Sequence, residues 1–197
     1  MIRSATLTRV LLIRPGATDF DEQGRMKGCL DMPLSSRGAE QAADLARQLA
    51  GVSVKTIYCS PCESARETAK RLADEQRTAG REVKVKVIDA FKNLDHGLWH
   101  GKLIDEVRRN HPKVYRQGVE NPDDFCPPGG EPVAVAKARV DKTLRKCVKK
   151  GRDQVVAMVI PEPLASVVEC LLSGNDLASL WKSETDSASW SMIETEL

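Results

Sequence analysis

Two sets of side chains have types and spacing that could do chemistry. Cys59-Ser60-Pro61-Cys62 sets two thiols three positions apart, after a run that reads as a strand and before one that reads as a helix. A helix N-terminus favours a thiolate, so this turn could carry thiol–disulfide exchange. The second set is imidazole. His96 and His100 flank Gly97 and Trp99, and His111 precedes Pro112. Neither His96 nor His100 follows a strand end, so both read as structural or solvated rather than as proton shuttles. His111 reads as a surface residue favoured by a helix C-terminus. The six cysteines are scattered over a chain long enough to need no staples, so they read as reduced thiols of a cytoplasmic protein, with no metal and no cofactor expected.

The elements that must position these groups follow from periodicity. Val10-Leu11-Leu12-Ile13 ends at Pro15-Gly16, which suits a buried strand feeding a loop. Asp19 to Pro33 is polar and glycine-punctuated and reads as a long loop. Ala42, Leu45, Ala46 and Leu49 recur at helical spacing after Ser35. Thr56-Ile57-Tyr58 reads as a strand. Ser60 is expected to cap the next helix, with Pro61 at its first position and Glu63 closing a capping box. Val83, Val85 and Val87 alternate with lysine as in a half-exposed strand. Asn121 to Pro132 is an irregular proline-rich loop, followed by a long helix through Val133, Ala136, Val140, Leu144 and Cys147. The apolar run Gln154 to Ile160 suits a central parallel strand. Leu164 to Leu172 is helical, and Trp190 to Glu194 reads as an edge strand. Strand and helix alternate throughout, which predicts one doubly wound α/β domain over 1–197, its mainly parallel sheet carrying helices on both faces.

Composition narrows the function. Thirty basic residues face 28 acidic ones, a net charge of +2. That balance gives no argument for nucleic acid or a membrane surface. No apolar run approaches the ~20 residues that span a bilayer, and Met1 to Thr8 lack the form of a secretory signal.

A family becomes visible at the first loop. Leu12-Ile13-Arg14-Pro15-Gly16-Ala17-Thr18 resembles the LIRHGAT run of the histidine phosphatase (phosphoglycerate-mutase-like) superfamily. The similarity continues through Gly24-Arg25, Gly28, Asp31, Pro33-Leu34-Ser35, Gly38 and Gln41-Ala42. It returns at Ser60-Pro61 with Glu67-Thr68-Ala69, at Gly97, Trp99 and Gly101, and at Pro127 to Glu131. The resemblance implies a histidine nucleophile at the end of the first strand, two arginines and a second histidine cradling the phosphoryl group, and a glutamate donating the proton.

This sequence departs from that set at four of five positions. The nucleophile falls on Pro15, the second arginine on Ser64, the acid on Asn93 and the second histidine on Ile160, followed by Pro161-Glu162-Pro163. Only Arg14 survives. Pro15, Pro161 and Pro163 also each remove a backbone N–H from the phosphate loops. Arg14, Arg25, Lys27 and Arg66 are left as candidates for anion binding, against the alternative that they form salt bridges with Asp21, Asp31 or Glu162. The expectation from these losses is a non-catalytic scaffold, regulatory or ligand-binding protein, whose partner is another protein or a small anionic ligand. One alternative is a divergent phosphatase or mutase with rewired residues, and a second is a redox protein acting through Cys59 and Cys62.

Overall fold

Residues 7–151, 154–177, 180 and 187–196 are described in a computed structural model of the chain; most of the Met1 to Thr8 stretch lies outside them. The apolar run of the first strand, β1 (Thr8–Ile13), sits inside the sheet. It pairs in parallel with β4 (Val155–Val159) and antiparallel with β5 (Trp190–Thr195). Next come β2 (Val54–Cys59) and β3 (Lys84–Val87), giving the order β3-β2-β4-β1-β5 with only β5 reversed. This is the expected α/β architecture. β3 is exposed along its whole length as an edge strand rather than half-buried, while Val83 just before it is buried.

Strand alternation divides the core in two. Leu11, Ile13, Ile57, Cys59, Ala157 and Val159 face one side, against α2 (Ser36–Gln48) and α3 (Glu63–Thr78). Val10, Leu12, Tyr58, Val156 and Met158 face the other, against α6 (Val133–Lys150) and α7 (Leu164–Ser173). Burying each large aliphatic side chain is worth about 1.5–3 kcal/mol, so the two layers hold the carboxyl ends of the strands rigidly in place. No helix among the described residues is long and apolar enough to cross a membrane.

The structure adds elements that periodicity does not reveal. The expected long loop after Thr18 begins with a short helix, α1 (Asp19–Glu22), closed by a capping box between Thr18 and Asp21. With four residues it has no apolar stripe to betray it. Two further helices, α4 (Ile104–Asn110) and α5 (Pro112–Glu120), each bury a single residue, Val107 and Gly118. The cap expected at Ser60 is not there. Ser60 continues the sheet by donating its N–H to the Val159 carbonyl at 2.9 Å, and α3 starts only at Glu63. Its first turn is satisfied from another loop. The Glu63 N–H donates to Asp31 Oδ1 at 2.6 Å and the Ser64 N–H to the Met32 carbonyl at 3.1 Å.

Candidate functional site

The parallel register aligns Ile13 with Val159, and the Ile160 N–H donates to the Ile13 carbonyl at 2.9 Å. Arg14-Pro15 and Ile160-Pro161 therefore leave the sheet side by side at the carboxyl edge, where ligands of such sheets collect. The loop after β1 is drawn tightly onto the start of α2. A Cβ on Gly16 would come within 2.1 Å of the Gly38 carbonyl oxygen, so only glycine allows this approach.

At the floor of this edge the charges are already consumed. Arg14 donates through Nε to Glu162 Oε1 at 2.5 Å and through a terminal nitrogen to Glu169 Oε2 at 2.9 Å. Glu162 is buried and its other oxygen accepts from the Ser166 N–H at 3.1 Å and hydroxyl at 2.9 Å. Burial pulls the Arg14 guanidinium down, but the two carboxylates outweigh it and hold it above its ordinary value. Burial pushes the Glu162 carboxyl up, against the pull of Arg14 and Ser166. Asn93 ties this floor to the neighbouring loops. Its amide nitrogen donates to the carbonyls of Gly28 at 2.9 Å and Glu162 at 2.7 Å, and its oxygen accepts from the Leu164 N–H at 3.2 Å. Pro15, Ser64, Ile160, Pro161 and Pro163 are all buried around it.

Beside this floor, over the end of β2, a cleft of about 140 Å³ remains open. Cys29, Asp31, Ser60, Cys62, Lys92 and Asn93 line it. Ser60 is fully buried at its base, and its hydroxyl has no hydrogen-bond partner among the described residues. Buried hydroxyls are nearly always satisfied, so a polar ligand atom at that point would recover the cost. Asp31, on the rim, is held by the Glu63 N–H and lies 3.8 Å from a terminal nitrogen of Arg66.

The four cations singled out in the sequence are not gathered into one cradle. Arg14 is paired with Glu162 and Glu169. Lys27 grips both oxygens of Asp21 at 2.9 and 2.8 Å with the pair buried. Arg25 donates to Gln23 and, at 2.7 Å, to the Gly101 carbonyl. Arg66 is an exposed partner of Asp31. Three of the four thus follow the salt-bridge alternative, with Glu162, Asp21 and Asp31 as the partners. The cation that sequence reasoning missed is Lys92, which lines the open cleft. Its signal was weak: it is one lysine among many, in a segment with no periodic pattern. The dithiol also fails as a redox centre. Cys59 is fully buried, and burial, with Cys62 adding to it, pushes its thiol up to about 11, the reverse of a reactive thiolate. His96 is buried, while His111 is exposed with its ring 5.9 Å from that of Trp99.

A sequence profile described as the histidine phosphatase superfamily (branch 1) matches residues 10–197. The chain belongs to this superfamily. It is similar to phosphoserine phosphatase 1 of Hydrogenobacter thermophilus, with 32% identity over 96% of this chain and 88% of that one. It is 26% identical to the adenosylcobalamin/alpha-ribazole phosphatase of Escherichia coli, over 94% of this chain and 89% of the other. Among solved structures, a mycobacterial glucosyl-3-phosphoglycerate phosphatase in complex with VO3 superimposes with a TM-score of 0.82 at 24% identity, covering 94% of this chain and 90% of that one. The last likeness carries the fold alone.

These relatives overturn the expectation of a non-catalytic scaffold. Histidine phosphatases similar to this chain along nearly its whole length are enzymes that cleave phosphate esters, so the pseudoenzyme reading is corrected to that of an enzyme. The physical reason is that the expectation rests on four replaced positions, Pro15, Ser64, Asn93 and Ile160, and not on the space beside them. That floor is closed by the Arg14–Glu162 pair, but the cleft next to it is open and carries polar, thiol and cationic groups of its own.

Proposed function

We propose that this chain is a divergent phosphatase that hydrolyses a small phosphate monoester in the cleft above Ser60, without a phosphohistidine at the end of β1. The observation that carries this reading is the buried Ser60 hydroxyl, without a hydrogen-bond partner among the described residues, in an open cleft at the carboxyl edge of the sheet lined also by Lys92. A phosphoryl oxygen seated there accepts from Ser60, and Lys92 and Arg66 offset the charge of the others. Pro15 has no side-chain lone pair to attack phosphorus, so water supplies the attacking oxygen and the ester oxygen leaves on the alcohol, which takes up a proton. A phosphorylated amino acid is the first substrate class to test, because phosphoserine phosphatase 1 is the named relative that reaches 32% identity. A cytoplasmic location belongs to the same proposal and is supported by six cysteines that are all free thiols.

The test is release of inorganic phosphate from phosphoserine and from p-nitrophenyl phosphate by the purified protein. The expected result is turnover that falls in both Ser60→Ala and Lys92→Ala while the fold is kept. No release from either ester, or release indifferent to both substitutions, contradicts the proposal.

A further inference from the structure

At the rim of the Ser60 cleft, one cluster combines three different metal-ligating side chains. Cys29 Sγ lies 3.6 Å from His100 Nε2, and the same nitrogen lies 3.7 Å from Asp95 Oδ1. All three donor atoms fall within 4.8 Å of one another. For a tetrahedral zinc ion with bonds of about 2.3 Å to sulfur and 2.0–2.1 Å to nitrogen or oxygen, donor atoms stand roughly 3.3–3.6 Å apart. The sulfur–nitrogen edge already has that length, and the nitrogen–oxygen edge is longer by a few tenths of an ångström.

The surroundings orient these atoms and supply contacts that an ion would replace or share. The His96 N–H donates to His100 Nε2 at 3.2 Å, which places the ring proton on Nδ1 and leaves Nε2 as the lone-pair nitrogen. Asp95 Oδ1 accepts from the Gly97 N–H at 2.8 Å, an outer contact that fixes the carboxylate and leaves its other lone pair free to ligate. Gly28 adopts a φ of +52°, and a Cβ there would come within 2.7 Å of His100 Nε2. Any other residue would crowd the donor nitrogen. Cys29 and His100 are partly buried, and the Asp95 side chain is 43% exposed, so an ion can enter from solvent.

We infer that Cys29, Asp95 and His100 form a binding site for a divalent transition metal ion, with Zn²⁺ the best match. A thiolate and a carboxylate neutralise the charge of the ion, and the sulfur–imidazole–carboxylate set favours zinc over the hard cations magnesium and calcium. Three protein ligands leave one coordination position for water. On binding, Zn²⁺ replaces the His96 N–H at Nε2 and displaces the Cys29 proton to solvent. Cys29 also lines the Ser60 cleft, so the ion lies at its rim. The sequence hides the site because Cys29 and His100 are 71 residues apart and follow no ligand spacing.

The test uses the full chain, stripped with a chelator and dialysed against Zn²⁺ alone, with bound metal measured directly so that the result does not depend on phosphatase activity. One Zn²⁺ per chain is expected. Affinity should fall by at least about tenfold in Cys29→Ser and in His100→Ala, since losing even an outer-shell partner typically costs that much. Co²⁺ substitution supplies a second readout. A sulfur-to-metal charge-transfer band is expected in the natural protein and in Cys62→Ser, and absent in Cys29→Ser. No stoichiometric Zn²⁺ binding by the natural protein, or affinity unchanged from the natural protein in Cys29→Ser and His100→Ala, overturns the inference. So does a charge-transfer band that survives in Cys29→Ser.

Discussion

The two halves of the carboxyl edge have been built to opposite ends. At the ends of β1 and β4, Arg14 is pinned between Glu162 and Glu169, Asn93 satisfies three backbone groups, and buried prolines pack beside them. Over the end of β2, the buried Ser60 hydroxyl has no partner among the described residues, and Lys92 and Cys62 line open space. The family's nucleophile and second-histidine positions, Pro15 and Ile160, belong to the first half, whereas Asn93 also lines the open cleft and Ser64 touches its Cys62. The lesson is that losing residues at an aligned position closes that position and does not empty the cleft around it.

The comparison can be broken hardest at the closed half. Glu162→Ala leaves the buried Arg14 with only the partly exposed Glu169 as a carboxylate partner, and stability should fall by about 3–5 kcal/mol. Replacing Arg14 and Glu162 together by apolar residues of similar volume should cost far less, because no unpaired charge remains. Thermal or denaturant unfolding of the three proteins checks this, and equal losses in the single and double variants would show that the pair is not what closes the floor.

Next in size is Asn93→Asp. The substituted side chain keeps its shape but loses both N–H donors and turns a carboxylate toward the Gly28 and Glu162 carbonyls, so a loss of about 2–3 kcal/mol is expected from unfolding curves. On the open half, Lys92→Ala and Arg66→Ala should leave stability nearly unchanged. Each should lower kcat/KM for a phosphate monoester about tenfold, the low end for a charge-assisted contact because both side chains are exposed. An unfolding penalty without a kinetic one would reverse the roles assigned to the two halves.

The smallest expected effects concern thiols and pH. Cys62 should alkylate before Cys59, read by mass spectrometry of peptides. The Cys59 and Cys147 thiols are both pushed up to about 11 by burial, while the unfolded chain releases these protons near 9. The folded state therefore holds more protons in that window, and stability should decline as pH rises from about 9 to about 11. Flat stability across it would mean that neither thiol is as enclosed as the structure shows.

Much of the fold was legible. The apolar runs at Val10–Ile13 and Val155–Val159 and the stripe from Val133 to Cys147 each became the element their periodicity predicts. Elements held by one contact, such as α4 with Val107 or α1 with its Thr18 cap, left no stripe to read. The site was legible in a different way. The replaced positions Pro15, Ser64, Asn93 and Ile160 could be named, and so could the salt-bridge partners Asp21, Asp31 and Glu162. What a replacement becomes could not be read, because Asn93 acts through groups 65 to 71 residues away and Glu169 joins Arg14 from 155 residues away. The order Ser60-Pro61-Cys62-Glu63 fits a helix cap in the sequence, whereas in the structure the Ser60 N–H joins the sheet and the helix starts at Glu63.

The central claim is that phosphate-ester chemistry has moved from the end of β1 to the cleft above Ser60. A single-turnover reaction with a ³²P-labelled phosphate monoester tests it directly, with the protein quenched in alkali, which preserves phosphohistidine, and digested to locate label. The account predicts stoichiometric release of labelled phosphate with no label on any histidine, and loss of release in Ser60→Ala. No release by the natural protein, or label trapped on His96 or His100, would contradict it.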